Sequence, residues 1–310
     1  MSEPLGPGKE FDAIRELVRR WGPLAPGIGD DAAVLDVPAG ARLVASTDTS
    51  VEGIHFRRDW LTPREIGWRA AAAAISDLAA MAAAPLGMLL ALTVPAAWRA
   101  DLPALGDGLG DAARITGTPI LGGDLSSGAE LSLTISVLGA AATPLGRAGA
   151  RAGDRIWVTG TLGGPFAALR DLAAGRTPLA GHRARFAHPE PRLAHARWLA
   201  ERGAHAAIDI SDGLAADMGH LAAAGSVRIT LDLDAVPRCD GVTPREAALS
   251  GEEYELAIAA PAGFDARAFQ AATALPLTEV GSVAAGAPEV VALLSGVRVD
   301  LPRGYDHFSS

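Results

Sequence analysis

Residues 61–94 read LTPREIGWRAAAAAISDLAAMAAAPLGMLLALTV. Thr62 stands where a helix cap belongs, Pro63 suits the first turn, and Glu65 completes a capping box with Thr62. Pro85 bounds the far end, and LGMLLALTV then reads as a strand. The stretch 66–92 is the most apolar of the chain, but Arg69, Asp77 and Pro85 break it. It is a buried helix followed by a strand, not a membrane span. One residue does not fit a plain core helix. Asp77 lies inside the alanine-rich segment, where no cap is needed, so its charge requires a metal ion or a buried arginine.

Working outward, the segment ELSLTISVLGA (130–140) alternates strictly, with Leu131, Leu133, Ile135 and Val137 on one face and Ser132, Thr134 and Ser136 on the other. That is a half-buried strand of an antiparallel or interface sheet. RLVASTDTS (42–50) reads as another strand, and PALGDGLGDAARITG (103–117) as a helix weakened by glycine. The Gly-, Pro- and Arg-rich run PLGRAGARAGD (144–154) marks a domain boundary. Beyond it, RIWVTG, AAIDIS, SVRITLDLD, YELAIAAP and EVVALL read as strands. GGPFAALRDLAAG, PRLAHARWLAERG and DGLAADMGHLAAAG read as helices. The expectation is two α/β domains of similar size, residues 1–145 and 146–310.

Composition narrows the function. The chain has 310 residues, 49% of them hydrophobic, which is enough for two cores. Its formal charge is −9 with no block of five like charges, which argues against a nucleic-acid partner. The single cysteine, Cys239, excludes an intramolecular disulfide and fits a reducing cytoplasm. The start, MSEPLGPGKEFDAI, carries no secretory signal pattern. Lys9 is the only lysine. A Walker-type loop needs a lysine after its glycines and a protein kinase needs one on a strand, so both are excluded.

Acidic residues flanked by Gly, Ser or Thr recur at the ends of apolar segments. They are Asp30 and Asp31 in IGDD, Asp48 in STDTS, Asp77 in ISDLA, Asp124 in LGGDLSS, and Asp209 and Asp212 in IDISDG. Any one alone reads as a turn or a cap. Together, with hydroxyls beside them, they suit a hard cation such as Mg²⁺. An EF-hand is excluded, because His220 stands where DISDGLAADMGH needs its bidentate Glu. Carboxylates without lysine repel a nucleoside triphosphate, and divalent ions invert that sign. Arg147 and Arg151 offer a guanidinium to complete a phosphate clamp. Gly160, Gly163 and Gly164 in VTGTLGGP form either a backbone phosphate cradle or a plain tight turn.

These residues, with EFDAIREL, GIGDDAAVLD, STDTSVEGIHF, AISDLAAMAA, RAGARAGD, SGEEYELAI and the terminal GYDHF, make the chain resemble the thiamine-monophosphate kinases of the aminoimidazole ribonucleotide synthetase superfamily. The resemblance runs nearly end to end. It implies a two-domain α/β (α+β) fold whose N-terminal mixed sheet pairs into a barrel across a homodimer. It implies transfer of the γ-phosphoryl of ATP to thiamine monophosphate, assisted by several Mg²⁺ ions. By motif, Asp30, Ser46, Thr47, Asp48, Asp77, Asp124 and Asp209 resemble magnesium ligands, and Asp212 a holder of a further ion. Gly123, Asp124, Arg147 and Ser211 resemble nucleotide contacts. His55, Glu252 and Tyr305 resemble the residues around the thiamine end. Here the family's GGEDYEL reads SGEEYEL, which leaves Glu252 and Glu253 as alternatives, and AGARAGD leaves Arg147 beside Arg151. Asp31 either supports a metal ligand by hydrogen bonding or caps the turn.

The acceptor in such a reaction is a phosphate already ionised near neutral pH, so no general base is needed and direct in-line transfer is expected. Other ATP-using members of the superfamily compete with this reading, as does a non-catalytic metal-dependent nucleotide-binding protein. Two of those members call for cysteine chemistry that Cys239 in PRCDG does not supply. The remaining histidines, 182, 188, 195, 205, 220 and 307, lack ligand spacing and read as surface or packing residues.

Overall fold

The strict alternation of residues 130–140 organises the N-terminal sheet. In the computed structural model, which describes residues 8–26, 28, 29 and 31–300, the chain divides into two compact units. One comprises residues 1–78 and 83–143, the other residues 79–82 and 144–310. In chain order the first unit runs α1 (Lys9–Trp21), β1 (Arg42–Val51), α2 (Pro63–Ala80), β2 (Ala84–Thr93), α3 (Leu102–Thr116), β3 (Ile120–Ser126) and β4 (Ser132–Ala141). The sheet order is β1-β4-β2-β3, with β4 antiparallel to both neighbours and β2 parallel to β3. Leu133, Ile135 and Val137 of β4 are buried and turn towards the helices, with Leu78 of α2 close over Gly139. Ser132, Thr134 and Ser136 take the opposite face.

The capping box of α2 forms as the sequence leads one to expect. The Thr62 N–H donates to Glu65 Oε2 at 2.8 Å, and the Glu65 N–H reaches Thr62 Oγ1 at 3.3 Å. The run Ala70–Ala74 is buried, because small side chains let this helix lie close to its neighbours. The glycines that weaken α3 have a packing reason. A Cβ on Gly108 would stand 1.9 Å from the Arg64 carbonyl oxygen, and one on Gly67 would stand 2.1 Å from that of Leu105. The two helices therefore cross with their backbones nearly touching. β3 is a strand that alternation does not reveal, being glycine-rich and paired to β2 with a register shift.

The second unit runs β5 (Asp154–Thr159), α4 (Gly164–Ala173), α5 (Ala180–Ala187), α6 (Leu193–Glu201), β6 (Ala206–Asp209), α7 (Leu214–Gly225), β7 (Val227–Asp232), α8 (Pro244–Leu249), β8 (Leu256–Pro261), α9 (Ala266–Thr273), β9 (Leu277–Ala285), β10 (Glu289–Leu294) and β11 (Val297–Val299). Its seven strands lie in the order β11-β10-β7-β9-β5-β8-β6. Only β10 and β7 pair in parallel, so the domain is α+β. Ile156, Val158, Ile208, Met218, Leu221, Ile229 and Leu231 fill its core. Among the described residues no helix is long and apolar enough to cross a membrane, and residues 66–92 divide into α2 and β2.

Candidate functional site

In the first unit, period-two alternation along β1 sends Ser46 and Asp48 to the same side. Asp48 is paired with Ile135 and Ser46 with Val137, so both look towards the helix-covered face. There the Ser46 hydroxyl donates a hydrogen bond to Asp77 Oδ2 of α2. Burial, and then the charge of Asp77, push the Asp48 carboxyl up to about 6. Two carboxylates and a hydroxyl thus converge where water is partly excluded. An oxygen-only, doubly anionic donor set fits a hard divalent cation. Among the described residues no group of three His, Cys, Asp or Glu side chains forms a metal cluster. Asp30 lies outside the described residues.

Thr47 does not join this set through its side chain. The same alternation turns it to the opposite face of the sheet, where its Oγ1 lies 2.8 Å from Ser136 Oγ. Only its main-chain oxygen remains for a role beside Ser46 and Asp48.

Asp124 is exposed on β3, opposite Ala91, and follows a glycine that the backbone requires. Gly123 has φ +155°, and a Cβ there would stand 1.8 Å from the Leu90 carbonyl oxygen. Beside these two residues opens a cavity of about 180 Å³, lined by Leu17, Trp21 and Leu90 as well as by Asp31, Gly123 and Asp124. Asp31 is exposed there. His55 closes a turn after β1. Its Nδ1 accepts from the Val51 N–H at 3.1 Å, which leaves the neutral ring its proton on Nε2.

In the second unit, Asp209 ends β6 and is buried, and Ser211 and Asp212 follow in a short loop before α7. The loop is shaped by a residue that motif reading missed. Asp217, 1% exposed, accepts the N–H groups of Ser211 at 3.1 Å and Asp212 at 3.2 Å. Burial, with the charges of Asp209 and Asp212, pushes its carboxyl up to about 8. The signal was present in IDISDGLAAD, whose final aspartate recurs one helical turn into α7. Arg147 is exposed on a 3-10 turn (Arg147–Gly149) that packs on α7 and β6. Arg151 is also exposed, and its N–H donates to Asp154 Oδ2 at 2.9 Å. His205 is more than a surface or packing residue, since its Nδ1 lies 2.9 Å from Asp154 Oδ1.

The segment SGEEYEL lies against that loop. The Glu252 N–H donates to the Ser211 carbonyl at 2.7 Å, and those of Glu253 and Tyr254 share the Ile210 carbonyl. Glu252 and Tyr254 have φ of +60° and +54°. Such non-glycine conformations cluster where function overrides local comfort. The Tyr254 hydroxyl lies 3.4 Å from Glu252 Oε2. Glu253 turns inward. Its carboxylate accepts from the Gly163 N–H, from Ser250 Oγ at 2.6 Å and from Arg185 Nη2 at 2.9 Å. With Glu253 engaged in this way, Glu252 is the acid left half-exposed at the loop. The same bonds answer the question of VTGTLGGP. Its Gly163 N–H does meet an acidic oxygen, but that oxygen belongs to this chain's own Glu253, so a phosphate is not needed to explain Gly163. Tyr305 lies outside the described residues.

Residues 29–141 match the family model of AIR synthase related protein, N-terminal domain, and residues 151–293 match the corresponding C-terminal domain. The thiamine-monophosphate kinase of Salmonella typhimurium is 36% identical over 304 residues, covering 92% of each chain. The crystal structure of thiamine-monophosphate kinase from Stenotrophomonas maltophilia superposes with a TM-score of 0.81 at 35% identity, covering 94% of this chain and 97% of that one. AaThiL complexed with AMPPCP and TMP superposes with a TM-score of 0.78 at 27% identity, covering 96% and 95%. Identity at this level over nearly the whole length, together with both domain matches, means that the chain belongs to the thiamine-monophosphate kinase family of AIR synthase related proteins.

Proposed function

We propose that this chain transfers the γ-phosphoryl group of ATP to the phosphate of thiamine monophosphate, giving thiamine diphosphate and ADP. The observation that carries the reading is the near-complete alignment with a relative that holds AMPPCP and TMP together. The chemistry of this chain's own residues agrees with it. Two polyanions must be brought together by a protein whose candidate residues are mostly carboxylates. Magnesium ions at Ser46, Asp48 and Asp77, with Asp30, Asp124, Asp209, Asp212 and the Thr47 carbonyl as further oxygen donors, would neutralise and align the phosphates. Ser46 holds Asp77 in place, and Asp217 fixes the loop that carries Ser211 and Asp212.

Arg147, exposed on its turn, supplies a guanidinium for nucleotide phosphate oxygens, and the exposed backbone of Gly123 contributes beside Asp124. At the thiamine end, the half-exposed Glu252 suits the cationic thiazolium ring, His55 contributes its imidazole, and Tyr305 adds an aromatic face. No side chain need remove a proton, because the acceptor phosphate is ionised near neutral pH. Transfer is direct, without a phospho-enzyme. Residues 1–145 act as the metal- and ATP-binding domain and residues 146–310 as the C-terminal domain. A homodimer through the outer face of the N-terminal sheet is supported by that face's exposed Leu43 and its Thr47–Ser136 and Thr49–Thr134 hydroxyl pairs. The single Cys239 fits a cytoplasmic setting.

The test is ADP release by the purified chain with ATP, Mg²⁺ and thiamine monophosphate. Turnover that requires all three supports the assignment. ADP release no higher than in the control without thiamine monophosphate overturns it.

A further inference from the structure

A buried ion network in the second unit flanks Glu252 in the chain. Glu253 and Glu255 are 3% and 0% exposed, on either side of Tyr254. Arg185, on α5, bridges them: its Nη1 lies 2.9 Å from Glu255 Oε1 and its Nη2 lies 2.9 Å from Glu253 Oε2. Its Nη2 also donates to the Thr161 carbonyl at 2.8 Å. Arg192 grips Glu255 with a two-pronged contact at 2.9 and 2.6 Å, and Thr159 Oγ1 donates to it at 2.6 Å. Glu255 thus has a second cation in Arg192, whereas the cation that meets Glu253 is Arg185.

The backbone between these anchors is strained. Glu252 and Tyr254 both hold positive φ, and the N–H groups of residues 252–254 are drawn to the carbonyls of Ser211 and Ile210. One edge of the segment is therefore tied to the 210–211 loop by main-chain bonds. The other is tied to α5 by charge. A positive-φ conformation at two bulky residues persists only where its surroundings over-determine it. Arg185 closes the second edge together with the Gly163 N–H and Ser250 Oγ, which also donate to Glu253, and among these three it alone brings a positive charge.

We propose that Arg185 is a positioning residue for the thiamine-phosphate substrate, acting through Glu253 to hold residues 252–254 in the conformation that presents Glu252. It touches neither substrate itself. The inference rests on the assignment of Glu252 to the thiamine end, and the test separates the two. Steady-state kinetics of the full-length chain would be measured for Arg185→Ala, Arg185→Lys, Glu253→Gln and Glu252→Ala, with each substrate varied in turn. Assayed above pH 7, where Glu253 is ionised, Glu253→Gln keeps the shape of the side chain while removing the charge that Arg185 holds, so it decides the matter if Arg185→Ala does not fold.

The expected result is a KM for thiamine monophosphate raised about tenfold or more in Arg185→Ala, Glu253→Gln and Glu252→Ala, as a misplaced binding group requires. The KM for ATP stays within about twofold, and Arg185→Lys recovers part of the loss because it restores the charge without the fork. If Glu252→Ala raises that KM while Arg185→Ala and Glu253→Gln leave it unchanged, the positioning role is wrong and the Glu252 assignment stands. If Glu252→Ala leaves it unchanged, the assignment of Glu252 is wrong and the inference falls with it. Equal loss for both substrates would mark Arg185 as a general stability residue and would also overturn the proposal.

Discussion

Gly123→Ala tests how the sheet places Asp124. At φ +155°, a Cβ would stand 1.8 Å from the Leu90 carbonyl oxygen, 2.6 Å from its carbon and 2.8 Å from the Leu90 nitrogen. Carbon–oxygen contacts in sheets settle near 3.3 Å, so β2 and β3 would have to part by roughly 1.5 Å. Overpacking of that kind costs about 1–3 kcal/mol, and the backbone conformation adds about 1–3 kcal/mol for a residue with a side chain. The sum, about 2–6 kcal/mol, is a large share of the roughly 5–15 kcal/mol that holds a folded chain together. At about 2–4 °C per kcal/mol for a chain of this order, Tm should fall by about 5–20 °C. Because the neighbouring carboxylate moves with the strand, kcat/KM should fall by about a hundredfold, the loss expected from a displacement near 1 Å. Thermal melting and initial rates would be compared with Gly146→Ala, whose Cβ meets no heavy atom within 4 Å. A Gly123→Ala protein that melts and turns over like Gly146→Ala would refute the reasoning.

Three further outcomes follow from particular contacts. Burial raises the Glu253 carboxyl to about 7 against the pull of Arg185, so the folded chain keeps a proton there that the unfolded chain loses near 4.5. The stability from that proton is full below pH 4.5 and is lost as pH rises through 7. In urea unfolding, wild type should therefore lose up to about 1.4 kcal/mol per pH unit between pH 4.5 and 7 relative to Glu253→Gln, levelling off above 7, and a pH-independent difference would contradict this. Ser46→Ala, which frees Asp77, should lower Mg²⁺-dependent turnover about 10–100-fold. Thr47→Val, which alters only the opposite face, should stay within about threefold, and the reverse order would show that the faces are misassigned. Gly108→Ala should destabilise by about 1–3 kcal/mol in chemical denaturation despite alanine's better helix propensity, because its Cβ meets the Arg64 carbonyl at 1.9 Å; a more stable variant would mean that the helices do not cross there.

Where order is local, the sequence was readable. The capping box of Thr62 and Glu65 and the alternation of Leu131 to Val137 both depend on residues a few positions apart, and both appear as expected. β3 was not readable, since ILGGDLS has neither alternation nor β-branched enrichment and is held by its pairing with β2. The candidate site divides in the same way. The face of Thr47 was available from the period of β1, yet its motif neighbours drew it into one set with Ser46 and Asp48. The partner of the Gly163 N–H was not available, because Glu253 lies ninety positions away in the chain. Asp217 was visible as a residue but not as a role, since its two hydrogen bonds depend on how the loop folds back over α7.

The central claim is a direct transfer between two phosphates, and isotopic labelling tests it most directly. With γ-³²P-labelled ATP, Mg²⁺ and thiamine monophosphate, label should appear in thiamine diphosphate in step with ADP, and rapid acid quenching should trap no labelled protein. Label that stays in ATP, that emerges only as inorganic phosphate, or that is trapped on the chain before product forms would contradict the account.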